Sequence, residues 1–87
     1  MAYDVRLKSS AERALRRLPR QFQVRIGSRL DGLAGSPRPP GCEKLAGADD
    51  LYRVRVGDYR IVYQVLDDDL VVLVVTIGHR GDVYRRL

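Results

Sequence analysis

The sequence predicts an α+β domain of order β-α-α-β-β-β, in which an N-terminal helix hairpin packs on one face of a twisted antiparallel sheet. Three observations carry that expectation. An alternating segment opens the chain, two segments with helical spacing follow, and beyond residue 50 the apolar residues fall into three strand-length runs parted by tight-turn residues.

In the first strand Tyr3, Val5 and Leu7 alternate with Asp4, Arg6 and Lys8, which gives one apolar and one polar face. Ser9 precedes Glu12 by three residues, the spacing of a capping box, and predicts the start of a helix. Ala11, Ala14, Leu15 and Leu18 then share a stripe until Pro19 stops it and opens a second helix as its first-turn residue. Phe22, Ile26, Leu30 and Leu33 give that second helix a buried face, and Gly35, Pro37, Pro39, Pro40 and Gly41 end it in a loop. The short link makes the two helices a hairpin.

Leu51 to Val56 is the next strand, with Tyr52, Val54 and Val56 on one face and Arg53 and Arg55 on the other. Gly57-Asp58 is a two-residue hairpin turn of the primed type, and Tyr59 to Leu66 returns with Tyr59, Ile61, Tyr63 and Val65 on its apolar face. Asp67, Asp68 and Asp69 turn the chain again. Leu70 to Ile77 is apolar on both faces, which places it inside the sheet with cover on each side.

Eighty-seven residues allow one domain, 1–87, and 45 % apolar with 31 % charged residues makes it globular. The single Cys42 excludes an internal disulfide and fits a reducing compartment. No apolar run approaches the roughly 18 residues of a membrane helix, and the N-terminus lacks the apolar stretch of a signal peptide. A soluble cytoplasmic protein with no membrane partner is expected.

The net charge is +5, and fourteen of the sixteen basic residues are arginine. Arginine matches phosphate bidentately and stacks on bases, so the bias points to nucleic acid; a GC-rich genome and a solvated surface would give the same bias.

The hairpin register sharpens that choice. A two-residue loop pairs Val56 with Tyr59 and Arg55 with Arg60, so two guanidinium groups face each other and Arg53 lies one step along the same face. Like charges directly opposed across strands repel. An anion between them, such as an RNA phosphate, would relieve the repulsion; an ordinary exposed strand, with arginine stems lying on apolar surface, is the alternative.

The segment Gly78-His79-Arg80-Gly81-Asp82-Val83-Tyr84 adds acid–base groups. His79 is the only histidine, the residue type suited to moving protons at physiological pH. Tyr84 could give up a proton, stack or pack, and Asp82 either orients Arg80 or His79 or lies on the surface. There is no Cys/His ligand spacing and no Gly-rich phosphate loop, so neither metal nor cofactor is expected, and Asp67 to Asp69 read as a turn rather than a cation site. Metal-free phosphodiester chemistry is open to RNA, which carries its own nucleophile in the 2′-hydroxyl.

The run Leu-Tyr-Arg-Val-Arg-Val-Gly-Asp-Tyr-Arg-Ile-Val-Tyr-Gln-Val from Leu51 to Val65, with Ile-Gly-His-Arg-Gly-Asp-Val-Tyr from Ile77 to Tyr84, resembles the RelE branch of the RelE/ParE toxins. Ser36-Pro37 after the second helix and Lys44-Leu45-Ala46-Gly47 before the hairpin extend the likeness over nearly the whole chain. The resemblance implies a cytoplasmic toxin that enters the A site of the 70S ribosome and cleaves messenger RNA there. It also implies a cognate antitoxin, an acidic protein with a helical segment, in a toxin–antitoxin hetero-oligomer. By position Arg53 and Arg55 take the places of two basic residues, usually lysines, before the turn. Arg60 matches the arginine of the return strand, Arg80 the arginine after the last strand and Tyr84 the C-terminal tyrosine, with Lys44 a further phosphate contact.

Because arginine keeps its charge, Arg53 and Arg55 are excluded as general bases. The base is then Tyr84, His79 or a group of the ribosome. In this reading the 2′-hydroxyl attacks the adjacent phosphorus, leaving a 2′,3′-cyclic phosphate and a 5′-hydroxyl. Arg55 and Arg60 hold the phosphate while Arg80 assists at the leaving oxygen. ParE-like toxins, which share the fold and poison DNA gyrase without catalytic residues, are the alternative, as is an inactive relative that only binds antitoxin.

Overall fold

The first strand, β1 (Asp4–Leu7), turns Val5 and Leu7 inward and leaves Asp4 and Arg6 exposed, as the alternation predicts. The computed structural model describes residues 2–47 and 50–81. Helix α1 (Ser9–Arg16) starts directly after β1 because the Lys8 amide still donates to the Val74 carbonyl, at 2.9 Å, while the Lys8 carbonyl accepts from Glu12. Ser9 is therefore the first helical residue, and the expected capping box does not form. Lys8 holds the capping position without a side-chain bond, and Glu12 pairs with Arg16 one turn on, at 2.6 Å.

Pro19 precedes α2 (Arg20–Gly35) as its cap rather than as its first-turn residue, and its carbonyl accepts from Phe22 and Gln23. The Gln23 side chain reaches back to the carbonyls of Leu18 and Arg16, at 2.7 and 3.2 Å, and fastens the end of α1 to the start of α2. Ile26, Leu30 and Leu33 are buried and Phe22 is half-buried, so the four-four-three spacing marks the inward face of α2.

The sheet holds β1, β2 (Glu43–Lys44), β3 (Leu51–Val56), β4 (Tyr59–Leu66) and β5 (Val71–His79), in the order β1-β5-β4-β3-β2. Two features differ from expectation. The sheet is mixed, because β1 runs parallel to β5, with Val5 opposite Val72 and Leu7 opposite Val74. Periodicity marks which face of a strand is buried but not its neighbour or direction, and the long path between β1 and β5 is what a parallel pair requires. The two-residue β2 was not foreseen, since it is too short to alternate; it pairs antiparallel with β3, Glu43 opposite Arg53.

Strand β5 begins after Leu70, which closes the turn in the left-handed region (φ 52°), and extends two residues beyond Ile77. It lies inside the sheet, between β1 and β4. Its pairing shifts at a bulge: Val62 faces Thr76 but Tyr63 faces Val74, leaving Val75 as the extra residue. Both helices close over one face, where Ala11, Ile26, Leu30 and Leu33 meet Val54, Val56, Ile61, Tyr63, Val72, Val74 and Ile77. Leu73, on the opposite face, stays half-buried.

Among the described residues Tyr63 is the largest fully buried side chain. Its hydroxyl donates to the Pro37 carbonyl at 2.7 Å, and burial pushes that hydroxyl far above the usual tyrosine range. At the same end Arg38 forms a bidentate pair with Asp67 (2.7 and 3.2 Å), donates to the Tyr52 hydroxyl and stacks over the Tyr52 ring, while the Tyr3 hydroxyl donates to Asp67 at 2.6 Å. This network ties β1, the loop after α2 and the β4–β5 turn together.

Candidate nucleic-acid interface

The tip of the β3–β4 hairpin organises the site. Gly57 takes φ 59°, which glycine adopts without a side-chain clash, and the turn returns the chain in two residues. Val56 faces Tyr59, Arg55 faces Arg60 and Val54 faces Ile61, the register the sequence predicts. Val54, Val56 and Ile61 are buried under the helices, so Arg53, Arg55 and Arg60 share the opposite face.

The three guanidinium groups have different surroundings. Arg60 is only 9 % exposed, and its Nη1 donates to the carbonyls of Tyr59 and Gly57, at 3.1 and 3.3 Å. The hairpin's own backbone thus fixes its position. Arg53 is largely covered and pairs through Nη2 with Glu43. Arg55 is exposed, with its Nη2 3.8 Å from the other Glu43 oxygen. Among the described residues Glu43 of β2 is therefore an anion of the chain itself beside this face, offsetting part of the repulsion among the arginines. It was missed because its strand leaves no periodic trace.

Arg80 is exposed just past β5, and its amide donates to the Asp58 carbonyl at 2.9 Å. That bond brings the start of the C-terminal segment to the same turn. His79 goes elsewhere. It pairs with Tyr59 across β4 and β5, on the helix-side face, and meets the Tyr59 ring edge-on at 5.7 Å. Phe22 continues this aromatic line, 5.0 Å from Tyr59. The sheet therefore separates His79 from the arginine face, and it does not join the other site residues as expected. The cause is parity: Gly78 lies opposite Arg60, so the residue after it points the other way. Lys44 is also set apart, since it faces Tyr52 on the helix-side face at the sheet's edge. Asp82 and Tyr84 lie outside the described residues. Among the described residues no group of three or more His, Cys, Asp or Glu is placed to hold a metal ion, and Asp67 is bound by Arg38.

The profile of the ParE toxin of type II toxin–antitoxin systems matches residues 5–84. The chain belongs to the ParE toxin family. It is 33 % identical to the mRNA interferase toxin RelE of Escherichia coli, over 97 % of this chain and 92 % of the relative. Its fold is that of the toxin in the archaeal RelE–RelB complex of Pyrococcus horikoshii, with a TM-score of 0.83 and 35 % identity over 93 % of this chain and 98 % of that one. The intact E. coli RelBE toxin–antitoxin complex gives a TM-score of 0.82 at 30 % identity, covering 92 % and 99 %. The α+β architecture of this chain is thus that of RelE-type toxins.

Proposed function

We propose that this chain is the RelE-type toxin of a toxin–antitoxin pair and that it cleaves messenger RNA on the ribosome without a metal ion. The observation that carries the reading is the opposed Arg55–Arg60 pair on the face away from the helices. The Arg60 side chain is held by the turn carbonyls and the Arg80 amide by the Asp58 carbonyl, so Arg55, Arg60 and Arg80 all stem from the backbone around one turn. A preorganised set of donors acts most strongly where charge develops, here on the oxygens of a pentacoordinate phosphorus.

The 2′-hydroxyl of the substrate is the nucleophile; Arg55 and Arg60 bind the phosphate, and Arg80 stands by the leaving 5′-oxygen. A face this cationic repels a metal ion, which supports the metal-independent reading. The 2′-hydroxyl proton passes to Tyr84 or to a ribosomal group, since arginine keeps its own protons and His79 lies across the sheet. Arg53 and Lys44 would contact flanking phosphates, Lys44 from the far side of the sheet's edge. An acidic antitoxin, bound as in the RelBE assemblies of the relatives, is the partner that silences this face.

The test is to express the wild type and an Arg60→Ala/Arg80→Ala variant in cells and map 5′ ends of messenger RNA. In-frame cuts made by the wild type and absent from the variant are the expected result. Equal toxicity from both proteins, with DNA damage and no cuts, would discard ribonuclease activity in favour of gyrase poisoning.

A further inference from the structure

A pocket of about 200 Å³ opens on the helix side of the sheet, between the end of α1 and the end of β5. Ala14, Leu18 and Ile77 give it apolar walls, and the Tyr59 ring lines it. That ring is half-buried and fixed from two sides, by Phe22 at 5.0 Å and by His79, set at 85° to it, at 5.7 Å. Arg17 is exposed on the α1 side of the opening. A shallow hollow of about 270 Å³, lined by Ser10 and Arg13, shares Ala14 and Arg17 with the pocket and continues it along α1. Among the described residues no carboxylate pairs with Arg13 or Arg17, whereas Arg16 between them is taken by Glu12.

The pocket lies around a corner from the arginine face. Gly78 lines it and faces Arg60 across the strands, so β5 carries no side chain where the two meet. Arg80 follows His79 directly, and its amide is held at the hairpin turn. An RNA strand that leaves Arg80 therefore reaches the pocket by rounding the end of β5. A fixed ring between apolar walls, beside two cations one helical turn apart, suits such a strand, which repeats a flat base and a charged phosphate.

We propose that this pocket takes the base of the nucleotide on the 3′ side of the cut, stacked on Tyr59, while Arg17 and Arg13 bind the phosphates beyond it. The proposal rests on reading the chain as a ribonuclease. Stacking by itself tolerates every base, but walls formed by Leu18 and Ile77 limit the size and tilt of the base that fits. The pocket therefore biases which messages are cut. The reacting phosphate stays on the other face, with Arg55, Arg60 and Arg80. His79 steadies the Tyr59 ring, as Phe22 does, and moves no proton.

Mapping 5′ ends of messenger RNA in cells reads that base directly, since it is the first of each new end. The comparison is between the wild type, Arg17→Glu and Ala14→Leu. Arg17 is exposed, and Ala14→Leu fills the pocket with a residue that keeps the helix, while a melting curve checks each fold. Wild-type cuts should use the four bases unequally at that position, and the preference should shrink about fivefold or more in both variants. Even use of the bases by the wild type, or wild-type usage kept by the folded variants, would overturn the pocket and leave the ribonuclease reading intact. A second measurement needs no variant. By NMR the Tyr59 ring signals should shift on adding a 2′-O-methyl RNA tetranucleotide and stay in place with an abasic strand of the same length. Signals that move equally with both, or with neither, would overturn the proposal as well. If the wild type makes no cuts, the ribonuclease reading falls, and the proposal with it.

Discussion

Single residues divide the work at the hairpin. Arg60 is held by two carbonyls of its own turn. Its substitution by alanine removes a preorganised donor, and the expected loss in cleavage is about 10²- to 10³-fold, as for removal of one oxyanion donor. Arg60→Lys should recover little of this, because a lysine cannot donate to the turn and to a phosphate in the same fork geometry. Single-turnover cleavage of a ribosome-bound message measures both. His79 gives the contrary prediction. Its ring lies against Tyr59 on the helix side, so His79→Ala should cleave within a few-fold of the wild type and show the same pH–rate profile. Loss of an acidic limb in that variant would return the histidine to the chemistry.

Among the elements, the shortest strand has the most direct influence on charge. β2 exists to the extent of two residues, yet it carries Glu43 to the side of Arg53 and Arg55. The carboxylate competes with phosphate for Arg55. Glu43→Gln should therefore bind a single-stranded RNA several-fold more tightly at low salt, with a steeper loss of affinity as salt rises, because one more counterion is released on binding. Fluorescence anisotropy across a salt series reads this. An unchanged slope would mean that Glu43 does not hold Arg55 back from the ligand.

For the molecule as a whole, the two ends of the sheet serve different purposes. The hairpin end presents cations, while the other end is fastened by Arg38, Asp67, Tyr3 and Tyr52. The Arg38 bonds, and then the Tyr3 hydroxyl, hold the Asp67 carboxyl below the usual carboxylate range. A carboxyl depressed in the folded state contributes stability above its unfolded pKa of about 4, and that contribution fades as pH falls through the folded value. Asp67→Asn should consequently unfold at lower denaturant than the wild type at pH 7, and the two midpoints should converge at acid pH. A difference that persists unchanged to pH 2 would show that the network's charge is not what fastens this end. Cleavage at neutral pH should be little affected, since the network stands at the far end of β3 and β4 from Arg60.

The sequence by itself determined the faces. Alternation in β1, β3 and β4 and the helical spacing of Phe22, Ile26, Leu30 and Leu33 are local records of burial, and Gly57-Asp58 sets a register that puts Arg55 opposite Arg60. These were legible because hydrophobic periodicity and turn chemistry act within a few residues. Only the tertiary structure decided what depends on partners distant in the chain. It set β1 parallel beside β5, brought Glu43 to the arginines and sent His79 to the far face through pairing with Tyr59. It also opened a cationic groove between α2 and β3, two elements whose faces are each readable but whose separation is not. Strand pairing and the spacing of layers are fixed by how whole surfaces fit, and no short window of residues contains that information.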